Sequence, residues 1–438
     1  MYLARSFTFS CLALLVLGAL SGQAFADFTR VAVSPPGIPS CEGNYFAVFT
    51  TITSAINSVP AGGTIFVCPG TYPEQLAITK KLTLQGVASA TQDAAVIVPP
   101  AGGVLQNTTD VDTGNPIAAQ ILATGGPVSI SNLTVDGTGN GISGCTPDLQ
   151  GILFQNASGT VNHVAVRNQV PGGTLGNCQS GGEGIFVQSS TGTSTVTVET
   201  SSVHNYNTNG ITGNDPGTTL TVSGNYVQGS GVVSGGAVQN GIQLGFGAKG
   251  KITLNTVIDN IYGSPTPASA DLLLHDTAES SGLANGSMVV TNNIFGNSQR
   301  PIGLETDGLD GANLGDGVYV NGNKIFGATG DAIDVCTNGN TVTGNTIVNS
   351  AGSGVHFDTS CGVSFGGSTG YNNTATKNTI LDSACAGILD DTGGTGNNTA
   401  TPDTFYTVPF PITSSTGSCP FVAGPTRAKA PLKFSPRR

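Results

Sequence analysis

One short phrase recurs along this chain: glycine, then isoleucine or valine, then any residue, then an apolar one. It stands at Gly151-Ile152-Leu153-Phe154, Gly184-Ile185-Phe186-Val187, Gly241-Ile242-Gln243-Leu244 and Gly354-Val355-His356-Phe357, with looser copies opening at Gly210, Asp271, Pro301, Ala332 and Gly387. A second phrase, Asn-x-Ile/Val, opens at Asn225, Asn255, Asn292, Asn323, Asn345 and Asn378, spaced by 22 to 37 residues. Repetition on this scale signals stacked supersecondary units rather than a globule. Residues 332–350 show one unit. Ile333 and Val335 flank Asp334 as in a strand with one buried face. Gly339 then supplies a turn, and Val342 and Ile347-Val348 open two further strands.

Composition supports strands. Only 9% of the 438 residues are charged and 64 are glycine, which argues against long soluble helices. Regular Ile, Val and Leu argue against disorder. The chain carries 15 Lys and Arg against 26 Asp and Glu, and Arg427, Lys429, Lys433, Arg437 and Arg438 lie in the last stretch. The body is therefore strongly acidic, which opposes nucleic-acid or anionic-membrane binding.

Met1 to Ala26 reads as a secretory signal: Arg5, an apolar run from Phe7 to Leu20, and Ala24-Phe25-Ala26 as cleavage site. No second apolar run follows, so no transmembrane segment is expected. The destination is the periplasm or the outside of the cell. Eight cysteines remain, at 41, 68, 145, 178, 336, 361, 385 and 419, and none forms a CxxC pair. In an exported protein they read as disulfides. If each bridge joins cysteines about one coil apart, the pairs are Cys41–Cys68, Cys145–Cys178, Cys336–Cys361 and Cys385–Cys419. Other pairings of eight cysteines remain open.

Ile52, Ala55, Ile56 and Val59 have the spacing of a short amphipathic helix ended by Pro60. A solenoid must cover its first rung, and this helix is the candidate cap over an N-terminal segment, residues 27–63. Residues 64–400 form the expected repeat region, with 87–127 as a long excursion from it. Five prolines between Thr401 and Pro425 make residues 401–426 a C-terminal cap that ends the ladder. Residues 427–438 are a basic tail.

The run from Thr51 to Gly86, TITSAINSVPAGGTIFVCPGTYPEQLAITKKLTLQG, resembles the opening of pectin-lyase-like right-handed parallel β-helix proteins. The later copies are similar to parallel β-helix (PbH1) repeats. The resemblance implies an all-β solenoid of about ten rungs, monomeric, with polysaccharide as partner. It does not imply one activity, because the fold hosts lyases, hydrolases, esterases, epimerases and non-enzymes. Catalytic strings of these families are incomplete. The nearest to a polygalacturonase set are Glu305-Thr306-Asp307, Gly330-Asp331-Ala332 and Gly352-Ser353-Gly354, in which an acid and a histidine are replaced. Asp307, Asp331 and Asp334 are the candidate catalytic acids.

Register offers a further set. Two residues after each rung opening stand Thr212, Gln243, Leu273, Gly303, Asp334, His356 and Leu389; four after stand Asn214, Gly245, His275, Glu305, Cys336, Asp358 and Asp391. These positions face outward in a regular coil, with adjacent rungs about 4.8 Å apart. A ligand face is expected at His275, Glu305, Asp307, Asp334, His356 and Asp358. Glu305, Asp334 and Asp358 are candidate ligands for Ca²⁺. A plain solvated face would carry such residues too. The reading is a non-catalytic module that binds polysaccharide along this face. The alternative is a carbohydrate-active enzyme of the hydrolase or lyase type.

Overall fold

The computed structural model describes residues 29–37, 41, 47–87, 94–264, 268–306, 315–360 and 370–414. The signal segment, Asp307, Cys361, Cys419 and the basic tail lie outside the described residues. Three long sheets of 14, 12 and 13 strands run the length of a right-handed parallel β-helix. Each rung passes through the third sheet, then the first, then the second. Glu183–Gln188, Ser194–Glu199 and Ser202–Tyr206 make one such circuit, and Asn209–Asn214 opens the next.

The repeated phrase lies in the third sheet. Ile185, Ile211, Ile242, Leu272, Ile302 and Ile333 stack in register and are fully buried. The opening glycine has a steric cause. A Cβ on Gly184 would meet the Gly210 carbonyl oxygen at 2.5 Å, and one on Gly210 would meet that of Gly241 at 2.6 Å. A side chain there would push the rungs apart.

The turn between first and second sheets is two residues long. Its first residue takes positive φ and its second buries an amide. The pairs are Gly224-Asn225, Leu254-Asn255, Asn292-Asn293, Gly322-Asn323, Gly344-Asn345 and Lys377-Asn378. The buried amides form a ladder: Asn225 Nδ2 donates to Asn255 Oδ1 at 3.0 Å, Asn255 to Asn293 at 2.9 Å and Asn293 to Asn323 at 2.9 Å. Asn292 was the expected member, and Asn293 is the real one. The phrase Asn292-x-Ile294 points to the wrong apolar residue. Phe295 is the inward side chain, fully buried, so the register moves on by one.

Two expected breaks are rungs. Residues 87–127 hold Ala95–Val98 in the second sheet and Pro116–Ala123 in the third. Pro116–Ala123 is buried on both faces, which hides the alternation. After residue 401, Thr404–Tyr406 and Phe410–Thr413 continue the second and third sheets. Pro411 is tolerated because Phe410–Thr413 is the last strand of its sheet among the described residues. The rungs therefore exceed the ten expected. At the other end, Arg30–Val33 and Ala47–Phe49 belong to the first sheet, ahead of the expected start at residue 64.

The helix Ile52–Ser58 covers the open end of the core. It buries Ile52, Ala55 and Ile56. Glu74 holds its first turn, accepting from the Ile52 and Thr53 amides at 2.7 and 2.8 Å. Bridges join Cys41 to Cys68 and Cys145 to Cys178. Cys336 and Cys385 are also disulfide-bonded; the expected pairings Cys336–Cys361 and Cys385–Cys419 each involve a cysteine outside the described residues.

Candidate functional site

The outward columns form as spaced. Asp334 pairs with His356 across one rung boundary, and His275 with Glu305 across another. The sequence leaves these groups facing solvent; the structure buries most of them. Asp334, His356 and Asp358 are 7, 9 and 8% exposed.

Arg300, which opens the strand Arg300–Glu305, covers Asp334. It folds back across Gly303, where a Cβ would stand 2.9 Å from Arg300 Nε. The small residue that interrupts the polar column is thus the space its neighbour fills. Arg300 Nη1 donates to Asp334 Oδ2 at 3.0 Å, and Nη2 pairs with Glu305 Oε1. Burial disfavours its charge, but Glu305 and Asp334 outweigh this and hold the guanidinium ionised.

His356 is gripped from both sides. Nδ1 lies 3.1 Å from Asp331 Oδ2, and Nε2 lies 2.9 Å from Asp391 Oδ2. Two carboxylates on two ring nitrogens require the imidazolium. Burial opposes that charge, yet the bonds to Asp331 and Asp391 raise its pKa well above the usual histidine range. Burial also pushes Asp334 up to about 6, despite Arg300 and His356. Asp331 is pulled down by His356 and the Ser353 amide against the opposing effect of burial. His275 contacts Asp276 at 3.2 Å and Glu305 at 3.8 Å.

Each of the two cations, Arg300 and His356, is thus held between two carboxylates. His356 has no free nitrogen to act as a base. The charge on Glu305 and Asp334, two of the three Ca²⁺ candidates, is met by Arg300. The third, Asp358, approaches Asp334 and the Cys336 sulfur, but that sulfur is held in a disulfide.

A cleft of about 450 Å³ opens on the same sheet, several rungs toward the N-terminus. Its floor includes Gln150, Glu183, Asn209 and Asn240, each directly before a rung-opening glycine. Gln150 pairs with Glu183, and Asn209 with Asn240. The walls come from loops: Asp110 on one side, residues 179–181 and 236–238 on others. The Cys145–Cys178 bridge anchors the loop that supplies Gln179 and Ser180. Phe186 and Tyr262 add apolar surface.

The carboxyls here differ sharply. Burial pushes Glu183 up to about 8, and Asp148 and Asp110 add repulsion. Burial raises Asp148 as well. Asp110 is lowered: bonds from the Thr113 and Asp112 amides and from Gln188 outweigh its burial. Three residues that line the cleft bury a side-chain oxygen without a hydrogen-bond partner among the described residues: Gln150 Oε1, Glu183 Oε2 and Asn214 Oδ1. Such atoms are costly to leave unmet.

Sequence reading missed this cleft because it followed the positions two and four beyond each opening residue. The signal lay one residue before it, where Gln150, Glu183, Asn209, Asn240, Arg300 and Asp331 stand in one series.

No family model and no curated protein matches the chain. Solved structures do. A Family 28 exopolygalacturonase of Yersinia enterocolitica superposes with a TM-score of 0.56 at 11% identity, over 83% of this chain and 73% of that one. A GH136 lacto-N-biosidase from Eubacterium ramulus gives 0.55 at 11%, over 86% and 68%. The Dettilon tailspike protein gives 0.50 at 16%, over 86% and 68%. The chain shares with them the pectin-lyase-like right-handed parallel β-helix.

Proposed function

We propose that this is an exported protein that binds a polysaccharide along the outer face of its third sheet, without catalysis. The observation that carries the reading is the polar strip on that sheet. An open cleft with unmet acceptors continues down the rungs toward His275, Glu305, Asp334, His356 and Asp358. Sugar hydroxyls donate hydrogen bonds, and Phe186 and Tyr262 offer apolar surface to a ring. The exopolygalacturonase and the lacto-N-biosidase are, by name, enzymes of glycans, which agrees with a glycan partner. Disulfides agree with export.

On the lower rungs both His356 ring nitrogens are engaged by carboxylates and Arg300 is tied to Glu305 and Asp334, which supports a reading without acid–base chemistry there. One observation favours a second reading, glycoside hydrolysis in the cleft. Glu183 keeps its proton at neutral pH while Asp110 is ionised, the contrast that an acid and a base require. A glycan array combined with reducing-end and unsaturation assays on the mature protein separates the two. Binding without turnover supports the first reading. Turnover abolished by Glu183→Gln establishes the second.

A further inference from the structure

We infer that the cleft beside Glu183 takes an amine-bearing sugar, a glycan with free hexosamine units, rather than a uronate. This deepens the glycan-binding reading and rests on it.

The argument starts from what the cleft lacks. Among the described residues that line it there is no lysine, arginine or histidine. Asp110 carries a full charge, held by two backbone amides and Gln188. Asp148 is held only by the Ser180 hydroxyl, at 2.8 Å. A uronate placed here would meet carboxylates and no cation, and like charges in a partly buried site repel strongly.

The second observation is independent of charge. Gln150 lines the cleft, is 2% exposed, and among the described residues its buried Oε1 receives no hydrogen bond. Asn214 Oδ1 is an acceptor in the same condition, and Glu183 Oε2 becomes one once its carboxyl ionises. The unmet atoms lining the cleft are acceptors, so its occupant must donate. An ammonium donates three hydrogen bonds and brings the missing positive charge. Hydroxyls donate only one each and leave the charge unmet.

Proton balance follows. The groups facing Glu183 are Asp148 on the preceding rung and Asp110 from the loop, both acidic, with the Thr212 hydroxyl on the next rung. An ammonium beside Glu183 favours its carboxylate. In mild acid, where the sugar amine is itself protonated, binding therefore releases the Glu183 proton to solvent, and the calorimetry is run there; nearer the amine's own pKa the two groups exchange the proton and no net release is expected.

Calorimetry on the mature protein tests this with four hexasaccharides: β-1,4-glucosamine, its N-acetylated form, β-1,4-glucose and galacturonate. The glucosamine oligomer should bind about 10- to 100-fold tighter than its acetylated twin, the range for losing charge-assisted hydrogen bonds. Its enthalpy should vary with the buffer's ionisation enthalpy, reporting proton release. Glu183→Gln should remove that dependence, and Asp148→Asn, nearer the rim, should weaken binding if the first variant folds poorly. Tighter binding of the acetylated or glucose hexamer overturns the amine assignment and leaves the glycan reading standing. Binding of galacturonate alone also overturns it. If no oligosaccharide binds while Ca²⁺ does, both fail.

Discussion

Arg300 Nη1 donates to Asp334 Oδ2 at 3.0 Å across one rung boundary, lying over the bare backbone of Gly303. The same guanidinium pairs with Glu305 on its own strand. One cation thus ties two carboxylates that are largely withdrawn from water.

Removing that cation should be expensive. Arg300→Met leaves the buried Asp334 and Glu305 only the more distant His356 and His275, at 3.9 and 3.8 Å, and losing one partner of a buried pair costs about 3–5 kcal/mol in comparable settings. Urea unfolding should show a midpoint shift of that size with an unchanged slope. A loss under about 1 kcal/mol would show the pair to be as weak as a surface one.

Stability should fall as the solution turns alkaline. Glu183 and Asp334 are raised in the folded state, to about 8 and about 6. A raised carboxyl favours the fold below its unfolded value and loses that contribution as pH climbs through the folded one. His356, also raised, acts with the same sign. Glu305 and Asp331, lowered by their cationic partners against their burial, act oppositely and lose their contribution on acidification. Glu183→Gln should therefore gain melting temperature relative to wild type between pH 5 and pH 9. A constant difference across that range would mean Glu183 titrates normally.

The asparagine ladder offers a register test. Asn293→Ala leaves the Ile252 carbonyl and the Asn255 amide without partners, at a cost of about 1–3 kcal/mol. Asn292→Gly, at φ 58°, should change stability by no more than about 0.5 kcal/mol. Equal effects of the two changes would contradict the one-residue shift.

The bridge Cys145–Cys178 should matter twice. Replacing both cysteines with serine frees a loop of 33 residues and should cost about 2–4 kcal/mol. It also releases the loop carrying Gln179 and Ser180 at the cleft. Glycan affinity should fall along with stability. Unchanged affinity would separate that loop from the ligand.

The sequence by itself determined the coil, its inward columns and the pairings Asp334–His356 and His275–Glu305. Those are local matters: a two-residue alternation and a repeated phrase specify which way each side chain points. The cleft could not be read this way. Its walls are loops of unequal length, outside the repeat, and only the stacked structure brings Asp110 beside Glu183 and Asp148. Burial was likewise decided in three dimensions. Asp334 and His356 were polar residues on an outward column until Arg300 folded over Gly303 and Asp391 closed on the ring. The Asn292–Asn293 shift has the same origin. Only Asn292 fits the phrase as written, but the fold turns Phe295 inward and leaves Ile294 half-buried, so the ladder position passes to Asn293.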